Sequence, residues 1–163
     1  SGCDVVISGI DTTEAVAEAA KFTAQGKQVW AIPYDYAKAI DEGKGVSLGV
    51  PYFNWGPAYL KNVKAAMDGT WKAHHEWNAP DWKNINNPDT GAVGFRKGTL
   101  TKTASDSVDK FVAELAKGLD LWAGPINLQD GSTYVAKGKK ATDQQIWYLP
   151  QLLQGMTGQS VSK

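Results

Sequence analysis

Residues 28–36 read QVWAIPYDY, an apolar run that ends on an aspartate between two tyrosines. Apolar, β-branched and aromatic side chains in such a run predict a buried strand. Residues 3–9, CDVVISG, have the same character. Between the two runs, apolar residues at helical spacing, among them Val16 and Ala19, predict a helix that ends at Gly26. A strand, a helix and a strand within about 30 residues predict a right-handed βαβ unit with parallel strands, each buried on both faces. The sequence therefore predicts an α/β fold.

Composition limits the possible partners. The chain has 163 residues, of which 42% are hydrophobic and 21% charged, enough for one sizeable core. Seventeen basic residues balance seventeen acidic ones, so no net field attracts nucleic acid or an anionic membrane. The single cysteine, Cys3, excludes an internal disulfide and a cysteine-rich metal site. We expect no nucleic-acid partner and no cofactor.

Polar residues follow both predicted strands. Asp11 and Thr12 come after the first strand, and Tyr34, Asp35 and Tyr36 come after the second. Ligands of parallel sheets bind beyond the carboxyl ends of the strands, so these residues predict a cleft. An ionised carboxylate accepts two strong hydrogen bonds from a diol or an amino-purine edge, and a phenol ring can stack on a purine. The alternatives are that the acid caps the following turn and that the rings pack on a helix.

The remaining chain predicts further helices and strands. Pro57 suits the first turn of a helix whose buried stripe is Leu60, Val63 and Met67. The other predicted elements are a strand near Trp77, a strand at 92–95, a helix from Ser105 or Asp106 to about Gly118, a hairpin turning at Asp130 and Gly131, and a last helix that opens with a capping box at Thr142 and Gln145 and runs through Leu153, either kinked or shortened by Pro150.

A tryptophan and a histidine-rich stretch each have two competing interpretations. Trp55 either packs between lobes or stacks on a ligand. His74, His75 and Glu76 suggest zinc, but adjacent strand residues face opposite sides and no third ligand follows at metal spacing. We therefore predict no metal site.

Five stretches resemble the BMP (basic membrane protein) family of bacterial ABC-transporter substrate-binding lipoproteins. They are GCDVVISGIDTTEAVAEAAK (2–21), AIPYDYA (31–37), NWGPAYLKNVKAAMDGTWK (54–72), GPINLQDG (124–131) and IWYLPQLLQGMTG (146–158). The resemblance covers nearly the whole chain, but only the C-terminal half of such a protein. It implies type I periplasmic-binding-protein topology, in which two α/β lobes joined by crossing strands close on a ligand.

The resemblance also implies a domain arrangement. Residues 1–50 would end the second lobe, and residues 51–163 would form the crossing segment and the elements that pack back on the first lobe. The N-terminal half of the protein is therefore expected to be absent from this chain. Cys3 is not the family's lipoprotein cysteine.

By this resemblance the chain belongs to an extracytoplasmic, lipid-anchored binding component that delivers its ligand to an ABC permease and performs no chemistry. Family members bind purine nucleosides, and a subgroup with the NWGP and DGTWK stretches binds a purine base such as adenine. Asp35 would hydrogen-bond the ligand, and Asp11 and Thr12 would contact it from the neighbouring turn. Phe53 stands about where many members carry a lysine, which leaves base and nucleoside open.

Two other functions remain open from the residues alone. The chain could bind a sugar or a signalling metabolite through the same cleft. A hydrolase could instead use Asp11 and Asp35 as an acid pair, because two close carboxylates separate their pKa values. We favour a binding protein because the sequence contains no G-x-S-x-G motif and no P-loop.

Overall fold

The computed structural model describes residues 2–43 and 45–159 and has a mixed α/β architecture. It divides into two compact units, Ser1–Ala116 and Lys117–Lys163. Among the described residues, no helix combines the length and the apolar character that crossing a membrane requires. The two-lobe boundary near residue 50, which the family resemblance implies, stays a prediction.

The first unit begins with the predicted βαβ arrangement. Strand β1 (Val5–Ile7), helix α1 (Glu14–Ala24) and strand β2 (Trp30–Ile32) follow one another, and the two strands pair in parallel. Gly26 lies just beyond the helix with φ +87°, a left-handed conformation that glycine adopts without steric penalty. The predictions of parallel strands and of a helix ending at Gly26 are therefore confirmed.

Helix α1 packs against the strands through small and branched side chains. Its buried residues are Val16 and Ala19, three positions apart as a helical apolar face requires. The core cluster of this region consists of Val16, Ala19, Val29, Ala31 and Val46.

Strand β1 is not buried on both faces, so that prediction was wrong. Val6 packs against the core, whereas Val5 is exposed and Ile7 is 73% exposed. Successive strand residues point to opposite faces, and among the described residues only one face of β1 is covered. This strand therefore has more apolar side chains than the described part of the chain buries.

Two further strands form a separate antiparallel pair, which isolated bridges join to the region of β2. Helix α2 (Ala39–Glu42) follows β2, and strand β3 (Gly49–Phe53) pairs antiparallel with β4 (Val93–Lys97), which confirms the strand predicted at 92–95. Parallel bridges join Ala31 to Ser47 and Asp35 to Tyr52. Strand β2 thus lies beside the residues that precede β3, and the residues that follow β2 lie beside β3 itself.

Helix α3 (Gly56–Met67) starts where Pro57 predicts, but its apolar stripe is exposed. Leu60 and Val63 are more than half exposed, and Met67 is 81% exposed. The predicted burial was wrong because burial requires a covering element, and no described residue of α3 is buried.

Helix α4 (Lys102–Ala116) begins earlier than the predicted Ser105. The Thr101 hydroxyl accepts a hydrogen bond from the Ala104 amide at 3.2 Å, so Thr101 does the capping that the sequence assigned to a later residue. The predicted apolar face of α4 borders a cavity of about 530 Å³, lined on the helix side by Val108, Phe111, Val112 and Leu115.

Residues 70–79 form a loop, so the strand predicted near Trp77 is wrong. The loop is tied to α3 instead of to a strand. Trp71 Nε1 donates to Asn62 Oδ1 at 3.2 Å, and Lys61 Nζ donates to Glu76 Oε1 at 2.7 Å. These two side-chain hydrogen bonds hold the polar loop against the helix.

The second unit contains the predicted hairpin. Strands β5 (Ile126–Asn127) and β6 (Thr133–Val135) pair antiparallel around a turn at Asp130 and Gly131. Helix α5 (Asp143–Trp147) has the predicted capping box, in which the Thr142 and Gln145 side chains each bind the other residue's backbone amide. It ends before Pro150 and does not reach Leu153.

We predict that Gly98→Ala destabilises the first unit. The Gly98 amide donates to Leu48 O at 2.9 Å, and a Cβ at residue 98 would lie 2.0 Å from the Ser47 carbonyl oxygen. Relieving that overlap requires backbone movement, which we expect to lower the free energy of unfolding by about 1–3 kcal/mol. Denaturant unfolding measures it. Gly9→Ala, which meets no atom within 4 Å, is the matched control. Equal stability of the two variants would contradict the close approach of Gly98 to the Ser47 backbone.

Candidate functional site

A cleft of about 150 Å³ lies at the carboxyl ends of β1 and β2. The structure brings four of the five predicted site residues into it, Asp11, Thr12, Tyr34 and Asp35, and Trp55 lies outside its lining. That these residues contact a ligand stays a prediction. The complete lining is Asp11, Thr12, Thr13, Tyr34, Asp35, Tyr36, Ala39 and Glu42.

The backbone of Asp35 is held on both sides by β3. Its amide donates to Pro51 O at 3.0 Å, and its carbonyl accepts from the Phe53 amide at 3.0 Å. Asp35 has φ +75°, the only positive φ among the described non-glycine residues. Side chains other than those of Asn, Asp and His rarely adopt this conformation. The two hydrogen bonds therefore fix a strained residue at the point where the chain leaves the sheet.

The Asp35 carboxylate has no hydrogen-bond or salt-bridge partner in the part of the chain that the structure describes. Lys38, not Asp35, occupies the N-cap of α2. The alternative in which Asp35 caps the following helix is therefore wrong. A half-buried carboxylate without a partner is open to donors from a bound molecule.

Tyr34 links the two strand ends. Its hydroxyl donates to Asp11 Oδ1 at 3.1 Å. This hydrogen bond, followed by the negative charge of Asp11, raises the pKa of Tyr34 above its ordinary value. Tyr34 therefore keeps its proton and holds Asp11 against the end of β2.

Carboxylates dominate the charge of the cleft. Asp11, Asp35 and Glu42 line it, and no lysine or arginine is among its described lining residues. At the start of α1, a hydrogen bond from the Thr12 side chain lowers the pKa of Glu14, so an acid already occupies the positive end of the helix dipole. Such a cleft favours ligands that offer N–H or O–H donors.

Trp55 belongs to an exposed aromatic strip that starts at the cleft. We define this strip as Tyr34, Phe53, Trp55 and Tyr59, whose successive ring centroids lie 6.2, 5.1 and 6.0 Å apart. Trp55 is 54% exposed, so the described residues do not bury it. Both alternatives for Trp55, packing against another lobe and stacking on a ligand, stay open.

Glu42 and Arg96 are the residues of this region that the sequence did not indicate. Glu42 reaches the cleft from α2, and the Arg96 Nη1 atom donates to the carbonyl of Ala37 at 2.7 Å. Arg96 and Ala37 are 59 positions apart, and no local periodicity connects residues at that separation. Only the pairing of β3 with β4 brings them together.

Two of the three residues considered for zinc, His74 and Glu76, form an ion-pair network with Lys61. Glu76 binds the ammonium of Lys61 and the Nε2 atom of His74, and these two hydrogen bonds, Lys61's first, lower the pKa of Glu76 to about 2. The carbonyl of Lys72 and then Glu76 raise the pKa of His74. Among the described residues, no group of three or more His, Cys, Asp or Glu side chains is placed to hold a metal ion.

Comparison with known proteins gives one informative similarity. No family model matches the sequence. The chain is 27% identical over 152 residues to a purine-binding protein of Brucella abortus (strain 2308), and the alignment covers 88% of this chain. It covers 37% of the relative, so the chain spans little more than a third of that protein's length. The chain is thus a mixed α/β protein with distant similarity to a purine-binding protein.

We predict that Asp35→Gly is more stable than Asp35→Ala. Both variants lose the carboxylate, but alanine at φ +75° keeps the steric clash of the left-handed region and glycine does not. The expected difference in the free energy of unfolding is roughly 1–2 kcal/mol. Denaturant unfolding measures it. A more stable alanine variant would show that residue 35 does not have this conformation.

We predict that Asp11→Asn lowers the pKa of Tyr34. Asparagine can still accept the hydroxyl hydrogen bond, but it lacks the negative charge that opposes phenolate formation. The ring-carbon NMR signals of tyrosine, assigned with Tyr34→Phe, report the titration. Asp89→Asn, outside the cleft lining, is the control. An unchanged or higher Tyr34 pKa in Asp11→Asn would refute the interaction.

Proposed function

We propose that this chain is part of a binding protein that takes up a purine base or purine nucleoside in the cleft without changing it chemically. One observation carries the proposal: the Asp35 carboxylate, which has no partner in the described part of the chain, lies beside Tyr34 at the ends of parallel strands. The distant relative named for purine binding supports the ligand class.

The residues of the cleft supply both kinds of contact that a purine needs. Asp35 accepts from an N–H or O–H edge, where a charged hydrogen bond contributes about 1.5–3 kcal/mol. An aromatic face of the strip stacks on the ring system, which contributes about 1–3 kcal/mol. One such hydrogen bond plus one stacking contact is worth at most about 6 kcal/mol before ordering costs, below the roughly 8 kcal/mol of micromolar binding.

The size of the cleft supports closure by a second surface. Its volume of about 150 Å³ is below the roughly 300–1,000 Å³ of most ligand sites. We therefore propose that a further α/β lobe closes over the cleft and over the aromatic strip. In this arrangement Trp55 and the apolar stripe of α3 lie where they can meet the second lobe.

The wider role follows from the resemblance to the BMP family. We propose type I periplasmic-binding-protein topology for the longer protein, with residues 1–50 ending one lobe and residues 51–163 crossing back to the other. Its place is extracytoplasmic and lipid-anchored, and its partner is an ABC permease. The parallel βαβ unit followed by strand β3 is the part of the fold that supports this topology.

Binding is favoured over hydrolysis by the state of the two aspartates. Asp11 already accepts the hydroxyl of Tyr34, whereas Asp35 is unpartnered among the described residues. Among the described residues, the cleft lining contains neither a histidine nor a cysteine to act as base or nucleophile.

We predict that Asp35→Asn weakens purine binding at least about tenfold, because an amide offers one acceptor where the carboxylate offers two charged ones. NMR-monitored titration of the chain with adenine, guanosine, inosine and ribose detects weak as well as tight binding. Asp89→Asn is the matched control and should bind as the wild type does.

Three outcomes would overturn the proposal. The first is that no purine perturbs the spectrum, and the second is that ribose binds as well as the purines do. The third is that incubation with a nucleoside releases free base and sugar catalytically.

A further inference from the structure

One wall of the cleft is a short segment with little stability of its own. We define the cleft wall as residues 35–42, which carry Asp35 and Glu42 at its ends. Helix α2 within it has four residues and no side-chain cap, and isolated helices far longer than this are marginal in water. The position of the wall therefore depends on contacts with the rest of the fold.

Apolar packing supplies one of these contacts. Ala39 and Ile40 are buried together with Val50 of β3. This packing holds one side of α2 against the strand. Apolar contacts are not directional, so they leave the rotation and the exact height of the wall less restricted.

Arg96 supplies directional contacts to the same wall. It lies on β4 opposite Val50 in the strand register. Its Nη1 atom donates to the Ala37 carbonyl at 2.7 Å and lies 3.6 Å from Asp41 Oδ2. One guanidinium thus reaches both the turn after Tyr36 and the helix that carries Glu42.

We infer that Arg96 is a positioning residue that fixes the cleft wall from β4, so that Asp35 and Glu42 face the ligand in one arrangement. This inference rests on the proposed purine-binding function. Arginine suits the role because its planar guanidinium holds several donors in a fixed fork, whereas lysine carries a single charge on a flexible stem. Arg96 does not line the cleft, so it acts through the wall.

Three variants separate the contacts of Arg96. Arg96→Met keeps much of the apolar stem but removes both polar contacts. Arg96→Lys keeps a charge and can reach the Ala37 carbonyl or Asp41 from one atom only. Asp41→Asn keeps the carbonyl contact and removes an exposed ion pair, which contributes little at such surfaces. The expected order of purine affinity is wild type and Asp41→Asn first, then Arg96→Lys, then Arg96→Met.

A first measurement needs no ligand. The Ala39 amide donates to Tyr36 O and the Asp41 amide donates to Lys38 O, each at 2.9 Å. We expect Arg96→Met to speed hydrogen exchange at these two amides by about tenfold. The Ser8 amide, bonded to Ile32 O, is the internal control and should be unchanged. Equal exchange at the wall in wild type and variant would overturn the inference.

A second measurement separates positioning from general stability. We expect Arg96→Met to weaken adenine binding about tenfold in the wild-type chain but less than threefold in a background that carries both Asp35→Asn and Glu42→Gln, because its effect passes through these two side chains. Its effect on unfolding should be the same in both backgrounds. The same tenfold loss of affinity in both backgrounds would contradict a positioning role. If the wild-type chain binds no purine, the proposed function fails and the exchange measurement alone decides the role of Arg96.

Discussion

The site depends on the pairing of the Asp35 backbone with β3. Both backbone polar groups of Asp35 are bonded there, to Pro51 and to Phe53. This pairing continues β2 beyond Ile32, joins the parallel strands to the antiparallel pair, and holds residue 35 at a positive φ. Among the residues that the structure describes, the carboxylate has no hydrogen-bond or ion-pair partner at the strand end. The position of an acid between two tyrosines is thus explained by what its main chain does.

The hydrogen-bonding character of the cleft follows from this arrangement. The Tyr34 hydroxyl already donates a hydrogen bond to Asp11 Oδ1, so Asp35 and Glu42 supply the other carboxylate acceptors of the cleft. Carboxylates only accept hydrogen bonds when ionised, and they therefore select ligands rich in N–H and O–H groups. The aromatic strip adds exposed ring faces next to these acceptors, and its rings are inclined to one another by 81°, 39° and 21°.

Local signals in the sequence predicted much of the fold. The spacing of Val16 and Ala19 identified the inner face of α1, and the capping box at Thr142 identified the start of α5. The cleft could be predicted from the polar residues that follow the two strands, because parallel strands place their carboxyl ends at one edge of the sheet. The exposure of Ile7 and Met67 could not be predicted, since burial depends on what packs against an element. Arg96 was missed for a related reason, because its contact joins positions far apart in the chain.

The most direct test of the central claim is native-state hydrogen exchange at the Asp35 and Phe53 amides, followed by NMR. Both amides donate across the β2–β3 junction, and we predict that each exchanges at least about tenfold more slowly than an unstructured peptide. The scalar coupling between the Asp35 amide and α protons should also report a left-handed φ. Exchange of both amides at the peptide rate would mean that the two hydrogen bonds to β3 do not form, and that the Asp35 carboxylate is not held at the cleft.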